Sequence, residues 1–138
     1  MVINSIKIKS FIVITFFVVF FLIKPADEYR TNKKDKIIGL WKNKNINIQL
    51  KSDKKVNIEI LKKDGSLENK ISGLYSIDLS KQPITIDFKS LNRVSESLYA
   101  VIKINKKSEL IMSKFSTSWK QRSISFKDSD IIKFKKGN

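Results

Sequence analysis

Beyond residue 37, apolar and polar residues alternate with a period of two, and this pattern limits the possible folds more than any other feature of the chain. Successive side chains of a β-strand point to opposite faces, so the alternation predicts strands with one buried face. A nearly continuous apolar run, Leu98–Ile104, predicts a more deeply buried strand. The first predicted strand begins near Gly39. The other predicted strands are residues 46–50, 56–60, 72–77, 84–89, 109–115 and 132–135.

The gaps between the predicted strands are short and rich in turn-forming residues. Asp64-Gly65 is the strongest hairpin signal among them. Seven or eight short strands joined in this way predict an antiparallel meander. Because no helix is predicted to cover the apolar face of this meander, we expect an all-β fold: a small, closed, antiparallel up-and-down barrel.

The alternation also assigns side chains to the two faces of this barrel, since a strand buries every second residue. Four apolar residues, one from each of four predicted strands, are expected to point inward, and their polar neighbours outward. The inward set is Ile48, Ile58, Ile86 and Phe134, and the outward set is Asn47, Glu59, Asp87 and Lys133.

The N-terminus has the features of an export signal. Lys7 and Lys9 precede an apolar run, residues 11–23, that is shorter than the ~20 residues of a comfortable membrane span. We therefore expect residues 1–24 to be a signal peptide or a signal-anchor helix, with membrane contact through residues 6–24. The absence of a good cleavage site favours the anchor.

The remaining chain divides at the point where the alternation begins. Residues 25–37 are charged and lack an apolar period, which predicts a linker, and residues 38–136 form the predicted barrel domain. Basic residues before an apolar segment stay on the cytoplasmic side. We therefore expect the barrel on the exported side of a bacterial membrane, in the cell envelope, or secreted if the segment is cleaved.

The composition excludes several kinds of catalysis. The chain has no histidine and no cysteine, which removes His-based acid–base catalysis, thiolate nucleophiles and the usual zinc sites. Asp78 and Asp87 are the candidates for a pair of carboxylates that acts in acid–base catalysis. However, Asp78 ends a predicted strand and Asp87 is predicted to face outward, so neither is expected to be buried. We expect a protein that is not an enzyme and that needs neither a cofactor nor a metal ion.

The charge balance is strongly positive, with 28 Lys and Arg against 13 Asp and Glu and a net charge of +15. Such a field attracts polyanions. Arginine, the residue best suited to bidentate phosphate recognition, occurs only at positions 30, 93 and 122. The abundance of Lys, Ile and Asn is also typical of an AT-rich genome, in which lysine accumulates without any polyanion partner. We favour this compositional explanation over specific binding of nucleic acid, and an acidic partner stays open as an alternative.

Several short motifs resemble those of a known family. Gly39-Leu40-Trp41 is similar to the Gly-x-Trp opening of lipocalins and related calycin barrels. Residues 73–87 resemble the Gly-x-Tyr-x-x-Asp and Lys-x-Pro pattern of an uncharacterised bacterial lipocalin-like domain that is abundant in planctomycetes. Later elements follow in the same order, over about residues 39–136: Leu98-Tyr99, residues 122–126 and residues 132–135. Leu40 and Ser123 depart from the pattern, which has Thr and Pro there.

This resemblance implies a fold and a structural site, but no activity. In calycin barrels the motif tryptophan plugs the closed end and packs under a basic side chain from a late strand. The resemblance therefore implies that Gly39 and Trp41 form such a plug, and Arg122 is the candidate partner through a cation–π contact.

Two function hypotheses remain open. In the first, the barrel binds a small apolar ligand or acts as an accessory protein of the cell envelope. Tyr75, Tyr99 and Trp119 would line the mouth of the ligand cavity, although ordinary packing is the alternative for each ring. In the second, lysine pairs at turns and at the terminus form a basic rim that docks on anionic lipid, an acidic polymer or a partner protein. These pairs are 54–55, 62–63, 106–107 and 135–136.

Overall fold

The computed structural model describes residues 26–138, in which eight strands pair in sequence order into one closed barrel. This confirms the predicted fold class. Residues Lys33–Asn138 make up the barrel unit. The elements are helix α1 (Ala26–Ile37), strands β1 (Gly39–Lys42), β2 (Ile46–Leu50), β3 (Lys55–Leu61), β4 (Leu67–Asp78), β5 (Ile84–Lys89), β6 (Leu98–Ile104), β7 (Leu110–Ser113) and β8 (Ile131–Lys136), and two 3₁₀ turns, Trp119–Gln121 and Asp128–Asp130.

The barrel closes between its first and last strands. Every strand pairs antiparallel with the next, and β8 returns to pair with β1 through Trp41↔Lys136 and Lys42↔Lys135. The up-and-down order places alternate turns at the same end of the barrel. We call the end at which the chain enters β1 the proximal end; it carries turns 51–54, 79–83 and 105–109. The distal end carries turns 43–45, 62–66 and 90–97.

The predicted faces are those of the structure. Ile48, Ile58, Ile86 and Phe134 are all buried in the barrel interior. A single cluster of 17 buried side chains fills this interior, and most of them are Ile, Leu, Phe or other large apolar residues. An eight-stranded barrel is just wide enough for such side chains to fill it. The interior is therefore a packed core.

The connection between β7 and β8, residues 114–130, covers part of the outer face of the barrel. Val101 and Ile111 point outward by alternation, and neither belongs to the interior cluster, yet both are buried. The connection contacts the same face: Ser116 forms a two-way backbone bridge with Tyr99, and Phe126 lies under Lys103. The β7–β8 connection thus covers the outer face of β6 and β7.

The chain before the barrel differs in part from the expectation of a linker, because residues Ala26–Ile37 are helical. The charged residues Lys, Arg and Glu have good intrinsic helix propensity, so a helix needs no apolar stripe to form here. The predicted signal segment, residues 1–24, lies outside the described residues. Within residues 26–138, no helix combines the length and the apolar composition needed to cross a bilayer.

Gly73 is required where β4 passes the start of the β5–β6 connection. A Cβ atom at this position would lie 2.7 Å from Leu91 Cδ2 and 2.8 Å from the Lys89 carbonyl oxygen. We expect Gly73→Ala to lower the free energy of unfolding by about 1–3 kcal/mol, because backbone atoms must shift to relieve the overlap. Urea denaturation measures this. Ser76→Ala, an exposed position on the same strand, is the control and should change it by less than about 0.5 kcal/mol; equal effects would contradict the explanation.

Candidate functional site

Trp41 and Lys136 form a closed plug at the proximal end of the barrel. Trp41 is buried, and its Nε1–H donates a hydrogen bond of 2.7 Å to the carbonyl oxygen of Ile37. Lys136 Nζ lies 4.8 Å from the centre of the Trp41 ring. The same ammonium group donates to the carbonyl oxygens of Lys36 and Ile38, at 3.0 and 2.8 Å. It thereby satisfies carbonyl groups at the end of α1, where a cation is favoured.

Gly39 makes room for this arrangement. Its φ of +132° lies in a region that side chains with a Cβ rarely adopt. A Cβ there would also lie 3.0 Å from Lys136 Cε and 3.2 Å from Lys136 Nζ. Glycine is therefore needed both to turn the chain from α1 into β1 and to let the lysine reach over the tryptophan.

The basic partner of Trp41 is Lys136, and this corrects the expectation that Arg122 would fill that role. Lys136 pairs directly with Trp41 across the β1–β8 seam, whereas Arg122 lies in the β7–β8 connection. The alternation in β8 held the signal: Ile132 and Phe134 point inward, so residue 136 shares their face. The order of the family motifs pointed to Arg122 instead.

Arg122 clamps the β7–β8 connection to the outer face of the barrel. One of its terminal nitrogens donates a hydrogen bond to Asp87 Oδ1, and its guanidinium lies 5.3 Å from the centre of the Tyr99 ring. The side chains of Arg122 and Asp87 are only 15% and 22% exposed. Asp87 does face outward as predicted, but the connection covers it. The contact neutralises the carboxylate, so we assign this cluster a structural role.

Tyr75 is the only one of the three candidate ligand-binding aromatics that is buried in the barrel interior. Its hydroxyl donates a 2.6 Å hydrogen bond to the Lys51 carbonyl oxygen, and its backbone N–H donates to Lys54. Tyr75 therefore holds the β2–β3 turn in place. Burial, aided by the negative charge of Asp53, raises the pKa of its hydroxyl.

The three aromatic candidates do not meet at one cavity mouth. Tyr75 pairs with Phe88 on the inner face, whereas Tyr99 pairs with Asp87 on the outer face. Trp119 lies in the β7–β8 connection, where 64% of its surface is exposed. A shared pocket for one ligand would require all three on the same side of the sheet, and the strand register separates them.

A depression of about 540 Å³ lies at the distal end, between the β1–β2 turn and the start of β8. Its walls combine isoleucine side chains with amide, ammonium and carboxylate groups. Asn43 donates a 2.6 Å hydrogen bond to the Lys133 carbonyl oxygen and joins the two sides. The residues around it are Asn43, Lys44, Asn45, Ile46, Asp128, Ile131, Ile132 and Lys133. No sequence signal pointed to this place.

The described part of the chain holds no group of three or more acidic residues that could bind a metal ion. No protein-family model matches the chain, and no curated protein or solved structure matches it either. What can be said about function therefore comes from the residues themselves. The barrel unit has 24 Lys and Arg against 11 Asp and Glu, a net charge of +13.

Lys136→Met keeps most of the aliphatic stem of the side chain and removes the ammonium group from the proximal plug. We expect the free energy of unfolding to fall by about 2 kcal/mol, because two charge-assisted hydrogen bonds and a cation–π contact are lost. Thermal and urea denaturation measure the change. Lys135 and Lys136 are both exposed, but only Lys136 contacts Trp41 and the end of α1. Lys135→Met is therefore the matched control and should be nearly neutral. Similar losses in both variants would show that the plug contacts do not stabilise the barrel.

Tyr75 should make the stability of the barrel sensitive to alkaline pH. Its hydroxyl has an ordinary pKa of 10.0 in the unfolded chain and a higher pKa in the barrel. The contribution of the neutral hydroxyl is therefore complete below pH 10 and is lost as the pH rises through the folded-state pKa. We expect the stability advantage of the natural chain over Tyr75→Phe to shrink above pH 10. Urea denaturation of both proteins across pH 8–11 tests this, and a constant difference would contradict it.

Proposed function

We propose that the protein is a membrane-tethered, exported barrel of the lipocalin-like kind that docks on an anionic lipid surface through the lysines of its proximal end. It acts in this proposal as a binding module of the bacterial cell envelope, without enzymatic activity. The observation that carries the proposal is the combination of a filled interior with a surface that is rich in lysine.

Because the interior of the barrel is filled by side chains, we expect the binding site on the outer surface. The position that a lipocalin-type ligand would occupy is taken by buried side chains such as Phe88, Ile86 and Phe134. Phe115, at the start of the β7–β8 connection, packs edge-on against Phe88 with ring centres 5.6 Å apart. A small apolar ligand inside the barrel would have to displace these contacts, and each buried aromatic ring contributes several kcal/mol of packing.

The lysine pairs concentrate at the proximal end. Three of the four pairs, 54–55, 106–107 and 135–136, lie at turns or strand ends there, and only 62–63 lies at the distal end. Asp53, the acidic residue of the β2–β3 turn, is already paired with Lys55 at 3.1 Å, and the hydrogen bonds from Lys55 lower its pKa. Because Lys55 is paired with Asp53 and Lys136 belongs to the plug, the proximal lysines that remain for docking are Lys54, Lys106, Lys107 and Lys135. Each contributes about 1 kcal/mol of attraction near an anionic membrane surface.

The length of chain before the barrel supports a membrane as the partner. Residues 24–32 separate the apolar run from the barrel unit, and nine residues reach at most about 30 Å when fully extended. A folded unit of this size has a radius of gyration of roughly 13 Å. If residues 6–24 contact the membrane, this short connection keeps the barrel close enough to the lipid for its lysines to reach the surface.

A second candidate function rests on the distal depression. Its isoleucine wall and its two lysines, Lys44 and Lys133, suit a small amphiphile with an acidic group. This keeps the hypothesis of a small apolar ligand but moves it away from Tyr75, Tyr99 and Trp119. We rank it second because the depression is open to solvent and one of its walls carries Asp128.

The docking proposal is tested with single fluorophores, because the chain has no cysteine of its own. The full chain, carrying Ser52→Cys at the proximal end or Ser95→Cys at the distal end, is labelled and placed in nanodiscs of phosphatidylglycerol or phosphatidylcholine. Spin-labelled headgroups then quench a fluorophore that lies near the lipid. We expect about twofold stronger quenching at position 52 in the anionic discs, and loss of this difference at about 0.5 M salt, where charges are screened within roughly 4 Å.

Two double variants provide the charge control. Lys106→Ser with Lys107→Ser should reduce the effect of lipid charge at position 52 by about half, whereas Lys62→Ser with Lys63→Ser, at the distal end, should leave it unchanged. Quenching at position 52 that is equal in the two lipids would show that only the tether holds the barrel near the membrane, and it would overturn the docking proposal.

A further inference from the structure

The β7–β8 connection exposes two large apolar side chains. Trp119 is 64% exposed and Ile124 is 83% exposed, the highest values among the large hydrophobic residues that the structure describes. The other large apolar side chains of the connection are used for packing, since Phe115 contacts Phe88 and Phe126 lies under Lys103. Trp119 and Ile124 are thus the apolar groups that this cover leaves in solvent.

Trp119 and Ile124 point to solvent because neighbouring residues of the connection are fixed against the barrel. Arg122, between them in sequence, is fixed against the barrel by Asp87 and Tyr99. The Phe126 ring, two residues after Ile124, lies 4.4 Å from Lys103 Nζ. The 3₁₀ turn Trp119–Gln121 is closed by a bond from the Gln121 N–H to the Ser118 carbonyl oxygen. The connection is therefore a clamped platform that presents a tryptophan and an isoleucine.

The part of this platform that carries Trp119 and Ile124 is positively charged, and the acidic residues of the connection, Asp128 and Asp130, lie at its end. Residues 114–127 contain four basic residues and no acidic one. Arg122 is paired with Asp87 and Lys114 with Asp130, which leaves Lys120, 5.7 Å from the Trp119 ring, and Lys127 at the surface. Exposed tryptophan and isoleucine beside lysine is the composition of segments that bind at the interface of anionic membranes.

We propose that the β7–β8 connection is a second membrane contact, in which Trp119 and Ile124 enter the interfacial layer of an anionic bilayer while Lys120 and Lys127 contact lipid phosphates. This inference rests on the proposed function and names a further part of the docking surface. The connection follows β6 along one side of the barrel: Ser116 and Arg122 contact Tyr99 near the distal start of the strand, and Phe126 contacts Lys103 near the proximal turn 105–109. A soluble acidic polymer would engage the lysines but would leave the two apolar groups in water.

Trp119 itself is the probe for this contact. The chain has two tryptophans, and Trp41 is 1% exposed inside the proximal plug. The difference in emission between the natural chain and Trp119→Phe therefore isolates Trp119. The full chain is placed in nanodiscs whose lipids carry brominated acyl chains. We expect Trp119 emission to shift to shorter wavelength and to fall by about half or more in phosphatidylglycerol discs, and to stay solvent-like in phosphatidylcholine discs or at high salt.

A matched pair of substitutions tests the apolar part. Ile124→Asp should reduce bromine quenching of Trp119 at least about fivefold, because the substitution removes an apolar side chain from the contact and adds a negative charge that the lipid phosphates repel. Leu67→Asp, at another exposed apolar position that lies at the distal start of β4, should leave it unchanged. Both substitutions are at exposed positions, and the unfolding transition of each variant verifies that the barrel remains folded.

The outcomes separate this inference from the proposed function. If the fluorophore at position 52 responds to lipid charge but Trp119 stays accessible to acrylamide in anionic discs, the second contact is overturned and proximal docking stands. If neither site responds, both proposals fall. Protection of Trp119 that does not need anionic lipid, as self-association or another protein partner would produce, also overturns the inference.

Discussion

Closure of the barrel between β1 and β8 is the constraint on which the rest of the structure depends. Only two residue pairs join these strands, and one of them brings Lys136 onto Trp41. The ammonium group then holds the end of α1 through two carbonyl groups, and Gly39 leaves the space that it needs. The short pairing of β1 with β8 is thus stabilised by the buried Trp41 ring, the Lys136 ammonium group and the end of α1. Without closure, β1 and β8 would present unpaired edges to solvent.

The packing of the interior determines where function can reside. The inward positions carry Ile, Leu and Phe, which fill an eight-stranded barrel, and the Tyr75 hydroxyl donates its hydrogen bond to the Lys51 carbonyl oxygen. The outer surface then differs from place to place: the proximal turns carry lysine pairs, the β7–β8 connection carries exposed apolar groups, and the distal end carries an open depression. A membrane surface is the partner that uses the first two of these together.

Prediction from the sequence succeeded where the physical cause is local. All eight strands, the Asp64-Gly65 hairpin and the inward positions follow from alternation and turn chemistry, which depend on neighbouring residues. It failed for Arg122 and for the three aromatic candidates because their partners lie far away in sequence. Arg122 and Asp87 are separated by 35 residues in the sequence, and no local sequence pattern predicts that they pair.

The sequence by itself thus determined the eight strands, the closed fold and the face on which the alternating residues lie, since these follow from a period of two and short connections, but it did not predict helix α1. Only the tertiary structure decided which basic residue covers Trp41, which carboxylate is buried under the β7–β8 connection, and which aromatic rings remain exposed. The physical reason is that register around a closed barrel and the path of a 17-residue connection over its outer face are set by packing among distant residues. The local alternation of apolar and polar residues does not predict this register or this path.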